Sequence, residues 1–548
     1  MKKFLLILVL FSSLVAHADP FEKTWINKKV LKEISLYAVQ SNGRVKPFDT
    51  FAREGMELLT GREKFHGKNP VEMILSMVFE PHLWDRVAFI QISHRQLKTD
   101  LELPKDQKYF SPAEMSKSAR LMPLFQELNA KVEAKEKLNA YFQAVQRLAN
   151  QMIFINELIA GRLLRFAPPT EVERQKSDAW LSVDQLSQEL KLRFTLIGAT
   201  FVNASPDIHA RFSEHVKNFH QLMRERNPAL YPKDAAMKRE VLLSSTRPFR
   251  WAWVFALVAA ILLGVALYSS APIVYRAGMS FAVVSFLLQI YGFVLRCWIA
   301  GRPPVSNMYE SILWVSFGCL LFGLVLEWIY RKRVIAIGAL VFAVVALVVA
   351  DNISGVIDDS INPLEPVLRS NLWLTVHVLT ITLGYAAFSL SMILGNLGLA
   401  PYVIMGKESL RLPVRMLSFY AYRAVQVGVV LLAAGTILGG VWADYSWGRF
   451  WGWDPKETWA LIALLGYLAL IHARFRGMVG PAGFLAGCVM AFLGVLMAWY
   501  GVNFVLGAGL HSYGFGSGGV SYVATYVAIQ MAFIGLALWS RKRVQKKS

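Results

Sequence analysis

The sequence predicts an all-α polytopic membrane protein, in which about nine transmembrane helices follow a mostly helical extracytoplasmic domain. Three observations lead to this prediction: an apolar composition, a signal-like N-terminus and a series of long apolar runs in the C-terminal half. The 548-residue chain is 55% hydrophobic and only 18% charged, and its mean hydropathy is +0.39. This composition excludes an ordinary soluble enzyme, because a water-exposed surface needs more charged side chains.

The N-terminus has the layout of a secretory signal peptide. Lys2 and Lys3 precede an apolar run from Phe4 to Val15, and Ala16-His17-Ala18 then forms a small-residue cleavage site. The apolar run is short for a membrane span. We therefore expect a signal peptide over residues 1–18 and a mature chain that begins outside the cytoplasm.

Residues 19–245 form a polar segment in which apolar positions recur with helical spacing. The periodicity predicts a long helical stretch from Ala113 to Phe166 and another helix from His209 to Arg226. Between them, Ser182 and Gln185 have the spacing of a capping box, which predicts the start of a further helix. The segment is accordingly predicted to be a helical extracytoplasmic domain.

This polar segment contains one turn motif and no metal-binding motif. The stretch from Asn42 to Thr50 reads NGRVKPFDT and predicts an ordered turn. Its histidines lack metal-ligand spacing, apart from a face that His215 and His220 would share on a helix. We expect structural roles for all of them, which are His66, His82, His94, His209, His215 and His220.

From Arg250 the chain becomes strongly apolar, and residues 246–548 are predicted to form the transmembrane domain. Nine runs have spanning length, over residues 251–268, 277–299, 309–329, 334–350, 372–398, 425–442, 457–473, 482–500 and 521–540. Cys297, Cys319 and Cys488 fall inside these runs without a Cys-x-x-Cys pattern, so we expect neither disulfides nor thiol redox chemistry.

Basic residues cluster in alternate loops, and this pattern orients the predicted spans. The clusters include Arg331-Lys332-Arg333, Arg474 with Arg476, and Arg541-Lys542-Arg543. By the positive-inside rule these loops face the cytoplasm, which places residues 19–245 outside and the C-terminus inside. The net charge of +20 is explained by this topology in a lipid bilayer, and no nucleic-acid partner is expected. The predicted location is the bacterial cytoplasmic (inner) membrane.

Three histidines lie in the predicted membrane domain, and two of them converge on its outer side. The topology places His377 near the outer end of the fifth span and His511 in the outer loop after the eighth, whereas His472 lies in the inner part of the seventh. A single membrane histidine is often a helix-packing group. Two on one face favour axial ligation of haem iron, because neutral imidazoles are natural ligands for it.

The loop before the seventh span is rich in tryptophan. Five of the sixteen tryptophans fall between Trp442 and Trp459, in a stretch that reads WGRFWGWDPKETW from Trp447 onward. An interfacial aromatic belt is one explanation. A flat aromatic shelf that includes Trp447, Trp451 and Trp453 would also pack against a planar, apolar porphyrin.

Polar residues just before two spans have the spacing of helix caps. Asp454 can act as the N-cap of the seventh span, with Pro455 as first helical residue and Glu457 as capping-box partner. Asn307 and Glu310 have the same spacing before the third span. Asp454 and Glu457 therefore look structural rather than catalytic.

With these residues in view, the membrane domain resembles a known family. The tryptophan-rich run is similar to the WWD signature of haem-handling proteins in cytochrome c maturation. PVSNMYES (Pro304–Ser311) and GAGLHSYG (Gly507–Gly514) resemble the CcsA (ResC) component of System II cytochrome c synthases. The similarity covers roughly residues 270–540 with the three motifs in order. The NGRVKPFDT stretch is similar to a segment ahead of the membrane part in some fused or extended members.

The resemblance implies a role for each membrane histidine. His377 and His511 match the two external histidines that hold haem b in the outer site, and His472 matches a transmembrane histidine of an inner haem site. The implied activity is the addition of the two thiols of an apocytochrome c Cys-x-x-Cys-His segment to the haem vinyl groups. The haem-binding residues of the loop would be Trp447, Arg449, Trp451, Trp453 and Asp454.

The propionates and the inner site both need groups beyond the external histidine pair. Arg449, Lys456 and Arg369 are candidate cations for the propionates, and each is equally suited to anchor the chain at the membrane interface. His472 alone cannot ligate a second haem on both faces. The resemblance therefore implies a separate CcsB (ResB)-like membrane partner that supplies a further histidine.

Other functions stay open at this level. A haem exporter or chaperone without synthase activity would use the same residues, and only a covalent product would separate the two. A System I-like haem lyase shares the tryptophan-rich loop, but the CcsA-like flanking motifs disfavour it. A quinone-linked di-haem cytochrome b usually pairs four histidines on core helices, whereas the predicted membrane domain has His377, His472 and His511.

Overall fold

The computed structural model describes residues 28–136, 138–202, 206–269, 271–352, 358–364, 370–406, 413–507, 509–511 and 519–547. The predicted signal peptide over residues 1–18, the propionate candidate Arg369 and the motif residues Ser512–Gly514 lie outside these ranges. The chain divides into two compact units, Met1–Ser244 and Ser245–Ser548.

The first unit is mainly helical, as predicted, and contains two short hairpins. Its helices and strands are α1 (Lys28–Ser35), β1 (Ala38–Ser41), β2 (Arg44–Pro47), α2 (Phe48–Thr60), α3 (Pro70–Phe79), α4 (Pro81–Trp84), β3 (Ile90–Gln91), α5 (Arg95–Asp100), β4 (Tyr109–Phe110), α6 (Pro112–Met115), α7 (Leu121–Glu133), α8 (Ala140–Ile159), α9 (Glu171–Arg174), α10 (Gln188–Val202), α11 (Pro206–Arg226) and α12 (Asp234–Thr246). Strand β1 pairs antiparallel with β2, and β3 with β4. One hydrophobic core, which includes Phe48, Met56 and Phe219, joins these elements.

The predicted turn from Asn42 to Thr50 is a β-hairpin that leads directly into α2. Asn42 and Gly43 have φ angles of 51° and 75°, and these left-handed values are tolerated by asparagine and glycine in a tight hairpin turn. Lys46 is fully buried, and its Nζ pairs with Glu54 Oε2 at 2.5 Å. A buried face of this kind fixes the register of the hairpin.

The predicted helical stretch from Ala113 to Phe166 is wrong as one continuous element. It comprises most of α6 and the whole of α7 and α8, with turns between and after these helices. Lys135, between α7 and α8, has a φ of 53°, which no helix accommodates. Helix α8 then starts anew at Asn139, whose side chain accepts the Phe142 amide at 2.9 Å.

The other two helical predictions fare differently. The capping box of Ser182 and Gln185 exists, but it closes a single 3-10 turn, and α10 begins only at Gln188. The helix predicted from His209 to Arg226 is confirmed as part of α11.

The second unit contains the predicted spans. Its helices are α13 (Pro248–Tyr268), α14 (Pro272–Ala300), α15 (Met308–Tyr330), α16 (Val334–Asn352), α17 (Asn371–Trp373), α18 (Leu379–Ile404), α19 (Val414–Trp447), α20 (Pro455–Phe475), α21 (Pro481–Leu496) and α22 (Val520–Lys547). Two π-helical segments, Leu374–Val378 and Met497–Leu506, precede α18 and follow α21. Nine helices within the described ranges are long and apolar enough to cross a membrane. The protein is therefore a multi-pass membrane protein.

Helix α18 is the centre of the membrane unit. It packs against α15, α16, α19, α21 and α22, and it is the most deeply buried of the spans. Small residues permit close approach: a Cβ on Gly384 would lie 3.0 Å from the backbone nitrogen of Leu432, and one on Gly395 would lie 2.8 Å from the Leu485 carbonyl oxygen. Such contacts gain van der Waals energy, which drives membrane helices together where lipid offers no hydrophobic gain. Helices α20 and α22 are the least buried and lie at the periphery.

Candidate functional site

A cavity opens where several segments of the membrane unit meet. Its volume is about 170 Å³, which is enough space for several water molecules. The walls come from the PVSNMYES segment before α15, the start of α18, the end of α19, the tryptophan-rich loop with the start of α20, and the π-helical segment after α21. The lining includes Ser306, His377, Trp442, Trp451, Lys456, Trp499, Asn503 and His511. The three sequence motifs therefore converge on one site together with His377.

His377 lies in the π-helical segment that leads into α18. Such segments are rare and often occur at functional sites. The Nδ1 atom of His377 lies 2.8 Å from the carbonyl oxygen of Gly435. Because a carbonyl oxygen only accepts, Nδ1 carries the proton and Nε2 keeps the lone pair. Gly439 makes room for the ring, since a Cβ there would lie 2.6 Å from Cε1 of His377.

His511 reaches the same cavity from the segment after α21. Its Nδ1 donates to Asp454 Oδ1 at 2.9 Å, so in the neutral ring the lone pair is on Nε2. The ring packs edge-on against Trp447, with ring centroids 5.1 Å apart. A carboxylate or carbonyl at the second ring nitrogen is what usually orients an imidazole that binds a metal.

Asp454 connects the tryptophan-rich loop, α20 and His511. Its Oδ1 accepts the Lys456 amide at 3.0 Å, and Glu457 returns by accepting the Asp454 amide at 3.2 Å, which confirms the predicted capping box. Asp454 Oδ2 also accepts the Leu510 amide at 2.6 Å. Burial alone would raise the pKa of Asp454, but the hydrogen bonds from His511 and from the two backbone amides hold that pKa at about 2. The ionised carboxylate therefore caps a helix and orients His511.

The tryptophans of the loop do not all face the cavity. Trp451 lines it together with Trp442, whereas Trp447 contacts the His511 ring instead. Trp453 is 70% exposed and has a φ of 58°, a conformation that bulky residues rarely adopt. The aromatic shelf predicted from the sequence is thus divided, with Trp451 inside and Trp453 outside.

Two further cavity residues come from the π-helical segment after α21, and neither was predicted from the sequence. Trp499 lines the cavity, and its indole N–H donates to the Ser311 hydroxyl at 2.9 Å. Asn503 also lines it, and within the described part of the chain its buried Oδ1 has no hydrogen-bond partner. A buried polar atom without a partner is costly. A hydrogen-bond donor on a molecule in the cavity could therefore bind to this oxygen.

The candidate cations of the loop have different surroundings. Arg449 Nη1 lies 3.3 Å from Glu457 Oε1, and the guanidinium sits over the Trp447 ring with 5.8 Å to its centroid. Lys456, the second residue of α20, lines the cavity. The third candidate, Arg369, is outside the described residues.

His472 lies away from the cavity, near the other end of α20. A rise of 1.5 Å per residue places it roughly 24 Å from Lys456 along the helix. Its Nδ1 donates to the Leu468 carbonyl at 2.7 Å, which leaves the lone pair on Nε2. The side chain is exposed, on a helix whose Ile462 and Leu465 are also exposed.

A buried ion pair braces the PVSNMYES wall. Arg296 Nη2 lies 2.9 Å from Glu310 Oε1, and the two side chains are only 5% and 1% exposed. Glu310 Oε2 accepts the amide and the hydroxyl of Ser306 at 2.9 and 2.7 Å. Asn307 caps α15 by accepting the Glu310 amide, as predicted, but Glu310 bonds Ser306 and Arg296 instead of closing a capping box. Arg296 lies in α14, and its pairing with Glu310 was not predicted from the sequence.

Comparison with known proteins supplies the family. The Cytochrome C assembly protein family matches residues 305–511, from the PVSNMYES segment to His511. Protein NrfI of Wolinella succinogenes is 27% identical over 484 residues, which cover 86% of this chain and 53% of NrfI. The cytochrome c biogenesis protein CcsA of Parasynechococcus marenigrum is 35% identical over 263 residues, which cover 42% of this chain and 83% of CcsA. The solved structure of the cytochrome c heme lyase CcmF is 17% identical with a TM-score of 0.39, over 54% of this chain and 50% of that one.

The fold and the site define a multi-pass membrane protein with a cavity that is lined by the imidazoles of His377 and His511. The similarity over most of the length of CcsA shows that this chain belongs to the CcsA-type cytochrome c biogenesis family. The resemblance seen in the sequence is thereby confirmed. The chain spans about half the length of NrfI.

The Arg296–Glu310 pair yields a prediction about stability. Arg296→Met should lower the free energy of unfolding by about 3–5 kcal/mol, because it leaves Glu310 as an unpaired buried charge. The double variant Arg296→Met/Glu310→Gln should recover part of the loss, since both charges are then removed. Thermal unfolding of the detergent-purified protein measures both effects.

Arg423→Met is the matched control, because Arg423 is exposed and makes only surface contacts among the described residues, a hydrogen bond to Gln426 at 3.1 Å and a position 5.1 Å from the Phe419 ring centroid. Its effect should stay within about 0.5 kcal/mol. Equal unfolding temperatures for wild type and Arg296→Met would show that the pair does not brace the fold.

Proposed function

We propose that this protein matures c-type cytochromes by binding haem in the cavity and presenting it for covalent attachment to apocytochrome c. One observation carries the proposal: His377 and His511 line the same cavity, and each is held at Nδ1 by an acceptor that leaves the Nε2 lone pair for a metal. Membership of the CcsA-type family supports cytochrome c as the destination of the haem.

The residues present suit haem b as the bound substrate. Two neutral imidazoles fill the axial positions of an iron whose equatorial ligands come from the porphyrin. Trp442 and Trp451 offer flat apolar surfaces for the macrocycle.

The proposed reaction requires placement more than acid–base catalysis. Each cysteine thiol of the Cys-x-x-Cys-His segment adds across one vinyl double bond: a carbon–sulfur bond forms, the S–H bond breaks, and the hydrogen ends on the other vinyl carbon. Nothing leaves and no electrons are gained or lost. By holding haem fixed, His377 and His511 raise the effective concentration of the vinyl groups at the thiols. The histidine of the incoming segment then replaces one of the two imidazoles, which permits release.

Asp454 acts in this scheme as a positioning residue. Its carboxylate fixes the tautomer and the orientation of His511 while it caps α20. Partners of this kind raise the basicity of a ligating imidazole and hold it in its binding geometry.

We propose the bacterial inner membrane as the location, with the cavity on its outer side. Helices α15 and α20 both begin at the cavity. Their opposite ends carry the basic clusters Arg331-Lys332-Arg333 and Arg474 with Arg476. The positive-inside rule supports a cytoplasmic position for those ends, and it likewise supports a cytoplasmic C-terminus and an N-terminal unit on the outer side.

We propose a CcsB (ResB)-like membrane protein as partner, docked against α20. His472 is an exposed polar side chain on a peripheral span, and such a group is costly in lipid unless a partner covers it. Its Nε2 lone pair supplies one axial ligand. A histidine from the partner would supply the second ligand of an inner haem site.

The proposed function predicts the behaviour of histidine variants. Wild-type protein should carry haem with a low-spin, bis-histidine spectrum and should give covalent haem on a co-expressed apocytochrome c reporter. His377→Ala and His511→Ala should each lose both properties, because one axial ligand is missing, and added imidazole should restore part of them. Absorption spectroscopy and haem staining of denaturing gels measure the two outcomes.

His82→Ala serves as the control, because His82 is exposed in the first unit, and this variant should match wild type. Undiminished synthesis in either cavity variant would remove the ligand assignment. Bound haem without covalent product, in a host that supplies the partner, would favour the exporter or chaperone function instead.

The tryptophan pair of the loop gives a second prediction. Trp451→Ala should lower the affinity for haem roughly tenfold, because a flat apolar contact in the cavity is lost. Trp453→Ala changes the same residue type two positions away, but on an exposed side chain, and should retain haem as wild type does. Haem titrations of the purified variants measure the difference. An equal loss of haem affinity in the two variants would mean that Trp453 also contacts haem, as the sequence analysis predicted.

The partner proposal predicts that a CcsB-like protein co-purifies from native membranes. His472→Ala should reduce holocytochrome formation while leaving the bis-histidine spectrum of the cavity intact, since His472 lies away from it. Ile529→Ala, at an exposed position of α22, is the control for a change on the lipid-facing surface. Full synthesis by this chain alone, in a host without any CcsB-like protein, would defeat the proposal.

A further inference from the structure

Lys456 brings a positive charge to the cavity that axial ligation does not use. Among the described lining residues it is the one lysine or arginine. It lies close enough to His377 to act on that ring electrostatically. A cation in a largely apolar membrane cavity is costly unless a counter-charge accompanies it.

The carboxylates next to Lys456 in the chain make their hydrogen bonds to other groups, although the charge of Asp454 also acts on the Lys456 ammonium. Asp454 accepts from His511 Nδ1 and from the amides of Leu510 and Lys456. Glu457 pairs with Arg449 and accepts hydrogen bonds from the backbone amides of Gly452 and Asp454. Among the described residues, no carboxylate forms a hydrogen bond or a close ion pair with the Lys456 ammonium, so the ammonium can still bind a negatively charged group inside the cavity.

Other arginines near the cavity are held in place by protein groups. Arg449 pairs with Glu457 and covers Trp447. Arg296 pairs with Glu310. Arg302 donates to the Ser306 hydroxyl and to the Asn362 carbonyl, both at 2.9 Å. Each of these arginines is thus bound to protein groups, whereas no hydrogen bond to the Lys456 ammonium is found among the described residues.

A planar ligand held by two axial imidazoles keeps one degree of freedom, because it can turn about the axis that joins the two nitrogens. A third contact at its rim removes that freedom. Haem carries two propionate carboxylates on one edge, and charge-assisted hydrogen bonds to carboxylates are the strong ones.

We propose that Lys456 binds a propionate of haem and thereby sets the rotation of the porphyrin about the His377–His511 axis. The inference rests on the proposed haem site and adds the residue that orients the ligand within it. With the propionate edge held at Lys456, the vinyl groups point to other parts of the cavity rim in a fixed arrangement. A fixed arrangement lets each of the two thiols meet one particular vinyl group.

The test compares porphyrins that differ in one property at a time. Haem, haem dimethyl ester and iron deuteroporphyrin are titrated into purified wild-type protein, and affinities are read from the absorption change on bis-histidine ligation. The ester lacks the negative charges, whereas the deuteroporphyrin keeps them and lacks the vinyl groups. Wild type should bind haem and the deuteroporphyrin about 10- to 100-fold tighter than the ester, as expected for a hydrogen bond to a charged group.

Lys456→Met should lose most of this preference through weaker binding of haem, and Lys456→Arg should keep it, because the arginine retains the charge. Equal affinity of wild type for haem and its ester would overturn the inference without need of a variant, and so would an unchanged preference in Lys456→Met. A wild-type protein that gives no bis-histidine spectrum with any of the three porphyrins would instead refute the haem site itself.

Discussion

The hydrogen bonds of the Asp454 carboxylate hold the site together. One side chain ends the tryptophan-rich loop, begins α20 and fixes both Leu510 and His511. The N-terminus of a helix favours a negative charge, because its unpaired amide groups carry partial positive charge. The N-cap of α20 and the hydrogen bond that orients His511 are therefore provided by the same ionised group.

The two imidazoles of the cavity are held by different kinds of partner. His377 is fixed by the backbone carbonyl of Gly435, within the packing of α18 against α19, and by the close approach of Gly439. His511 is fixed by a side chain at the edge of the membrane unit. The first therefore depends on the packing of the helix bundle, and the second depends on a loop. This difference suits the proposed function, in which the site holds haem and then releases it.

Charge inside the membrane unit is used to shape the cavity. Arg296 and Glu310 are nearly inaccessible to solvent, and burying both charges is costly unless each one is fully hydrogen-bonded. The Ser306 hydroxyl and amide complete the bonding of Glu310. The polar PVSNMYES segment is therefore held against the bundle by charge, whereas Gly384 and Gly395 hold the helices of the same unit together by close packing alone.

The spans, the helix caps and the three histidines of the membrane unit can be predicted from sequence patterns. Spanning helices follow from the length and polarity of local runs, and the box of Asp454 and Glu457 follows from a spacing of three residues, so both are local properties. The Asn42–Gly43 pair likewise marked a turn, although the hairpin itself depends on a buried face that packing supplies.

Tertiary structure alone decided which side chains meet. His377 and His511 come from distant parts of the chain, Arg296 finds Glu310 across a helix–helix contact, and only packing separates Trp451 from the exposed Trp453. Trp499 lies in an apolar run that looked like any other span and Asn503 lies just after it, yet both belong to a π-helical segment that lines the cavity. Contacts between distant residues depend on how helices pack and how their ends are wound, and a local sequence pattern contains neither.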